Sequence, residues 1–349
     1  MTPLILGLAG PALTPAERSF FAEAAPAGYI LFRRNVVDRG QLRRLTDDLR
    51  TLAGRDDLPI LIDQEGGRVA RMRPPEWPEF PTGEAFDRLY DIAPISAMEA
   101  LRANAQALGV MLREVGITVD CLPLLDVRQP GAHDIIGDRA LGSDPMRVAS
   151  LGRHVLDGLR ESGVVGVVKH VPGHGRALAD SHVELPVVDA PAEALETDLQ
   201  PFAALNWAPM AMTAHVVYTA WDADRCASLS PTIIRDIVRG RIGFDGLLMS
   251  DDLGMKALAG SFADRAAGVI AAGCDVALHC SGDMAEMEEC AGAVSGITPA
   301  ASARLDRAMA TVGEGADLPA FDDLVAKRDA LLAYARESVD QPWGPDRGL

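Results

Sequence analysis

Short apolar runs rich in Val, Ile and Leu alternate along the chain with longer segments whose apolar residues return every three or four positions. The first kind reads as strand and the second as amphipathic helix, and their regular alternation is the pattern of repeated βα units on a parallel sheet. Strands are expected at about 4–8, 29–33, 58–62, 117–125, 164–168, 209–214, 246–250 and 274–279. A helix is expected over Met98–Val115, where Leu101, Ala105, Leu108 and Leu112 fall on one face. Others are expected near Pro145–Glu161, Glu193–Leu205, Pro231–Arg241 and Phe262–Ala272, with one or two more after Asp283.

Eight such alternations, without a composition break, a Pro/Gly/Ser-rich linker or a second cluster of strands, fit a closed barrel better than an open doubly wound sheet. The expected fold is therefore α/β, a single (β/α)8 TIM-type barrel. Residues 1–340 are read as one catalytic domain and 341–349, with two prolines and two glycines, as a loosely packed tail.

Composition narrows the classes without naming a function. The 349 residues are 48% hydrophobic and 24% charged, ordinary for a globular enzyme with a sizeable core. A net charge of -17 opposes phosphate backbones and anionic membranes, so no nucleic acid or membrane partner is expected. The five cysteines have no CxxC spacing and read as buried thiols in a reducing compartment rather than as a disulfide framework. The apolar stretch at Met1–Leu13 lacks a basic flank and is broken by Gly7, Gly10 and Pro11, which argues against a secretory signal. A membrane helix would need about 18 consecutive apolar residues, and there is no such run. Oligomeric state is not legible.

In a parallel barrel the reactive groups sit where strands end, so the polar residues after each apolar run carry the chemistry. Asp63 follows Ile60–Ile62, Asp126 follows Leu124–Leu125, Lys169 and His170 follow Val167–Val168, His215 follows Met212–Ala214, and Asp251 and Asp252 follow Leu247–Ser250. Two glycine-rich stretches, Asp63–Arg68 and Lys169–Gly175, can bring backbone close to a ligand, yet neither matches a nucleotide-binding fingerprint. His170 and His174 are four apart, but Pro172-Gly173 between them prevents the helix that would put both on one face, so no metal and no cofactor are expected.

Several of these segments together resemble the bacterial β-N-acetylhexosaminidases of glycoside hydrolase family 3, over most of the chain from Asp63 to about Ser281. The resemblance is carried by KHVPGHG at Lys169–Gly175 with DSH at Asp180–His182, by SDDL at Ser250–Leu253, and by DQEGGRVARM and IIGDRALGSDP. Val171 stands where a common form of the first motif has phenylalanine, a change that leaves the polar residues intact. The resemblance implies a (β/α)8 barrel with Asp251 as nucleophile, His182 as acid/base and Asp180 positioning that histidine. It also implies sugar contacts from Asp63, Arg71, Arg139, Lys169 and His170. It further implies a cytoplasmic enzyme of peptidoglycan recycling acting on GlcNAc-1,6-anhydroMurNAc, with or without peptide.

Glycoside cleavage with retention needs a carboxylate at the anomeric carbon and a proton for the leaving oxygen. Asp251, ending an apolar run, suits the first role; Asp252 suits helix capping better, and Lys169 or Arg139 would help keep the nucleophile ionised. A histidine near its ordinary pKa can serve as donor, with Asp180 orienting the ring. Glycine and small residues from Gly173 to Ala179 read as a mobile loop. His174 and His215 either shape that loop or support Asp251, and Glu65 and Asp126 either bind sugar hydroxyls or satisfy backbone donors. A glycoside phosphorylase and a catalytically silent sugar-binding barrel are the alternative functions.

Overall fold

The structure is a computed structural model that describes residues 1–181, 183–313 and 317–340. Eleven strands occur among them: β1 (Thr2–Leu6), β2 (Pro26–Leu31), β3 (Ile60–Ile62), β4 (Val119–Asp120), β5 (Val165–Val171), β6 (Val187–Val188), β7 (Met210–Thr213), β8 (Val217–Tyr218), β9 (Asp222–Cys226), β10 (Leu247–Asp252) and β11 (Val276–His279). Eight of them close a barrel in the order β1-β11-β10-β7-β5-β4-β3-β2, all neighbours parallel. The chain is thus a single (β/α)8 TIM-type barrel, each expected strand overlapping a barrel strand.

Side chains alternate along each strand, and that alternation builds two cores. Ile5, Ile30, Leu61, Val167, Met249 and Leu278 fill the barrel interior, all nearly inaccessible to solvent. Their neighbours Leu4, Leu6, Tyr29, Leu31, Ile60 and Ile62 face outward into the shell of helices. Burying one such side chain contributes about 1.5–3 kcal/mol, so a shift of register by one residue would forfeit many at once. Leu305, Ala308 and Met309, from the helix Pro299–Met309, join the inner core and plug the end where the strands begin.

The expected helices form at Pro94–Glu114, Pro145–Glu161, Ala192–Ala204 and Phe262–Ala272, and the segment Ile233–Arg241 is helical but of the wider π type. Asp144 caps its helix by accepting the Arg147 amide at 2.8 Å, and Ser261 and Asp264 form a reciprocal capping box. Two expectations are corrected. Among the described residues three helices rather than one or two follow Asp283, at Met284–Ala293, Pro299–Met309 and Phe321–Asp340. A second cluster of strands also exists: β6 pairs parallel with β8, and β8 pairs antiparallel with β9, as a small sheet beside the barrel. Two of its strands have two residues each, too few for a period of two to show. All five cysteines are free and buried. The expected tail at 341–349 lies outside the described residues.

Candidate active site

The inward rows of the barrel run on to the C-terminal ends of the strands, where in three of the following five rows the next member is charged rather than apolar. Ile30 is followed two positions on by Phe32, Leu61 by Asp63, Val167 by Lys169, Met249 by Asp251 and Leu278 by Cys280. All five of these residues line a cavity of about 260 Å³ at the C-terminal mouth, with Glu65, Arg71, Arg139, His170, His174, Ser181 and Met212. In the barrel order β3 and β10 stand four places apart of eight, so Asp63 and Asp251 approach the cavity from opposite sides.

On the β3 side the charges are already paired. Lys169, only 2% exposed, places Nζ 2.9 Å from Asp63 Oδ1 and 2.7 Å from Glu65 Oε1. Arg71 Nη2 donates to Asp63 Oδ2 at 3.1 Å, and Arg139 grips Glu65 with two hydrogen bonds of 2.8 Å. Burial raises the pKa of both carboxyls, but the adjacent cations outweigh it: Asp63 is held well below the usual carboxylate range, Glu65 is lowered to about 2, and Lys169 and Arg139 are driven upward. Gln64 fixes this wall by accepting the amides of Arg71 and Met72 at 2.8 and 3.0 Å. The Arg71 guanidinium also stacks on Phe32, 5.0 Å from the ring centre.

The β5 side is organised by Asp126, which is fully buried. Its carboxylate accepts His170 Nδ1–H at 2.7 Å and the backbone amides of His170 and His174 at 3.1 and 2.7 Å. Burial raises its pKa, yet those partners bring it to about 2. Burial instead lowers His174 to about 4, holding that ring neutral. The glycines let the following loop lie flat: a Cβ on Gly175 would stand 1.9 Å from the Val127 carbonyl oxygen. Arg176 is bound to Asp198 and to the Ala194 carbonyl.

On the β10 side Asp251 Oδ1 accepts the Asp252 amide at 2.8 Å. The Asp252 side chain accepts the amides of Gly254 and Cys280, both at 3.0 Å, which caps the turn after the strand rather than a helix.

Of the residues singled out from sequence, Asp63, Arg71, Arg139, Lys169, His170 and Asp251 meet at this one cavity. Asp180 lies on the loop beside Ser181, its carbonyl accepting the amides of Val183 and Glu184 at 2.9 and 3.0 Å. His182 lies outside the described residues. Lys169 and Arg139 direct their hydrogen bonds to Asp63 and Glu65. Glu65 binds these cations rather than backbone donors, and Asp126 holds both a ring and backbone amides. Phe32 and Cys280 were missed, although counting two positions past Ile30 and Leu278 finds them. Among the described residues no group of three or more His, Cys, Asp or Glu side chains is placed to hold a metal ion.

A parallel barrel whose mouth holds ionised carboxylates and immobilised cations in a cavity of this size suits a small, hydroxyl-rich ligand. Residues 10–314 match the glycosyl hydrolase family 3 N-terminal domain. A β-hexosaminidase of Xanthomonas oryzae pv. oryzae is 38% identical over 334 residues, 94% of this chain and 96% of that protein. One of Aromatoleum aromaticum is 38% identical over 284 residues, 80% of this chain and 79% of that protein. The structure of NagZ from Neisseria gonorrhoeae in complex with N-trifluoroacetyl-D-glucosamine superimposes with a TM-score of 0.82 at 29% identity, over 96% of this chain and 97% of that one. The chain belongs to glycosyl hydrolase family 3. It is a glycoside hydrolase, grouped by these likenesses with the family's β-hexosaminidases.

Proposed function

We propose that the chain is a retaining β-N-acetylglucosaminidase that removes terminal N-acetylglucosamine through a glycosyl-Asp251 intermediate, with His182 as acid/base. The observation that carries this reading is the opposition of Asp251 to the paired wall of Asp63, Lys169, Glu65 and Arg139 across one cavity. Its volume of about 260 Å³ is below the roughly 300–1,000 Å³ of pockets that enclose drug-sized molecules, a match for one sugar unit.

The β3 and β5 sides bind. Asp63 stays ionised and accepts sugar hydroxyls, Arg71 and Lys169 donate charge-assisted hydrogen bonds, and His170, oriented through Nδ1 by Asp126, turns its other nitrogen to the ligand. Asp251, at the inward position after Met249, attacks the anomeric carbon as positive character develops there, while the His182 imidazolium protonates the leaving oxygen. The same histidine then takes a proton from the water that releases the sugar, with Asp180 orienting its ring. The physiological substrate in this reading is a cell-wall muropeptide, GlcNAc-1,6-anhydroMurNAc with or without peptide, met in the cytoplasm during peptidoglycan recycling.

The test is His182→Ala on two leaving groups. Cleavage of a sugar–sugar bond should collapse, whereas an aryl glycoside with a good leaving group should give a burst of phenolate, slow turnover and a glycosyl adduct on Asp251 by mass spectrometry. Equal losses on both substrates, with no burst and no adduct, would refute the assignment. Comparing release from a β-N-acetylglucosaminide, a β-glucoside and an anhydromuropeptide, with and without phosphate, tests the substrate and the use of water.

A further inference from the structure

His215 is fully buried between the barrel and the small sheet, and it is not among the residues lining the cavity. Its Nε2 lies 3.0 Å from the Asp252 carbonyl oxygen, and its Nδ1 lies 2.7 Å from Ser228 Oγ. A carbonyl oxygen only accepts, so Nε2 carries a hydrogen. Burial lowers the pKa of this ring against the pull of Asp251 and Asp252, so it holds one proton rather than two, and Nδ1 accepts. The Ser228 hydroxyl has two acceptors in reach, Nδ1 and, at 3.0 Å, the Ala214 carbonyl; the neutral ring takes its proton, and Thr213 Oγ1–H donates to Ser228 Oγ at 2.7 Å. Thr213, Ser228 and His215 thus form a one-way chain of donors ending on the Asp252 carbonyl.

That carbonyl belongs to the residue whose amide meets Asp251. Asp252 is held at its carbonyl by His215 and at its side chain by the amides of Gly254 and Cys280, leaving its own N–H directed at Asp251 Oδ1, 2.8 Å away. Ser250 Oγ holds the Asp251 carbonyl at 2.8 Å and receives the Leu278 amide at 3.0 Å, so the backbone on both sides of Asp251 is tied down. We infer that His215, with Ser228 and Thr213 behind it, is a positioning residue: through Asp252 it sets the direction of the Asp251 carboxylate. This rests on the reading of Asp251 as nucleophile. A reacting group displaced by about 1 Å can cost about 100-fold in rate, so a strut that never touches substrate still governs turnover.

Two substitutions separate positioning from mere packing. In His215→Gln the side-chain amide reaches about as far as Nε2 and can still donate to the Asp252 carbonyl; in His215→Asn it is too short. Activity on an aryl N-acetylglucosaminide should fall about 10- to 100-fold in kcat for Asn with KM nearly unchanged, and Gln should recover most of it. The loss should be the same for good and poor leaving groups, because alignment of the carboxylate serves every substrate. Wild-type kcat in the Asn variant would overturn the inference. So would a loss confined to poor leaving groups, or equal losses in both variants that track a lowered Tm. The reading beneath it is checked separately by labelling the wild-type enzyme with a 5-fluoro N-acetylglucosaminyl fluoride. A label on a residue other than Asp251 fails that reading, whereas a label on Asp251 that forms as fast in the Asn variant fails only the role of His215.

Discussion

Replacing Glu65 by Gln tests whether the paired wall opposite Asp251 is a coupled electrostatic unit. The side chain is 4% exposed and takes two hydrogen bonds from Arg139 and an ion pair from Lys169. The wall holds Arg71, Arg139 and Lys169 against Asp63 and Glu65; the substitution leaves three cations facing one carboxylate and turns an amide N–H toward a donor. Breaking one side of a buried pair costs about 3–5 kcal/mol. The lowered pKa leads to a similar figure: the cations around Glu65 bring it from 4.5 to about 2, and about 1.4 kcal/mol per pKa unit makes roughly 3 kcal/mol at neutral pH. Because the folded pKa is the lower one, this stability is present above the unfolded value near 4.5 and is lost as pH falls toward about 2. With a urea dependence of about 3 kcal/mol per molar, E65Q should lower the unfolding midpoint by about 1 M at pH 7. The gap to wild type should close as the medium is acidified through that window, and KM should rise as Arg139 and Lys169 lose their anchor. A midpoint within about 0.2 M of wild type at pH 7, or a gap that ignores pH, would refute the reasoning.

Two further outcomes are expected. Tyr218 donates its hydroxyl to the Gly173 carbonyl at 2.8 Å from within the small sheet, and Tyr218→Phe strands a buried acceptor; stability should fall by about 1–3 kcal/mol, with faster amide exchange at Gly173–Ala177. His174 is lowered by burial from 6.5 to about 4, so between those values the unfolded chain takes up a proton that the folded one refuses and stability declines as pH falls. His174→Gln should flatten that part of the curve of unfolding midpoint against pH, and an unchanged slope would show that the ring is not held neutral.

Much of the fold was legible because the evidence for it is local. Runs such as Ile60–Ile62 and Leu247–Met249 announce themselves by composition, and helices such as Pro145–Glu161 by a period that matches their bounds. The same alternation orients the site: two positions past Leu61, Val167 and Met249 stand Asp63, Lys169 and Asp251, the inward members of rows whose apolar members are packed in the barrel. The small sheet was hidden because strands of two residues carry no measurable period.

What the chain alone determined is therefore which residues lie at strand ends and which of them turn inward, since both follow from the two-residue repeat of an extended backbone and the burial of its apolar members. Which of those residues meet was decided only by closure. Lys169 finds Asp63 across 106 positions of sequence, and Asp126 finds His170 across 44, because the barrel order sets β3, β4 and β5 side by side. The fate of Lys169 and Arg139, bound to Asp63 and Glu65, was invisible for the same reason: a cation takes the nearest carboxylate in space, and distance in space is a property of the closed sheet.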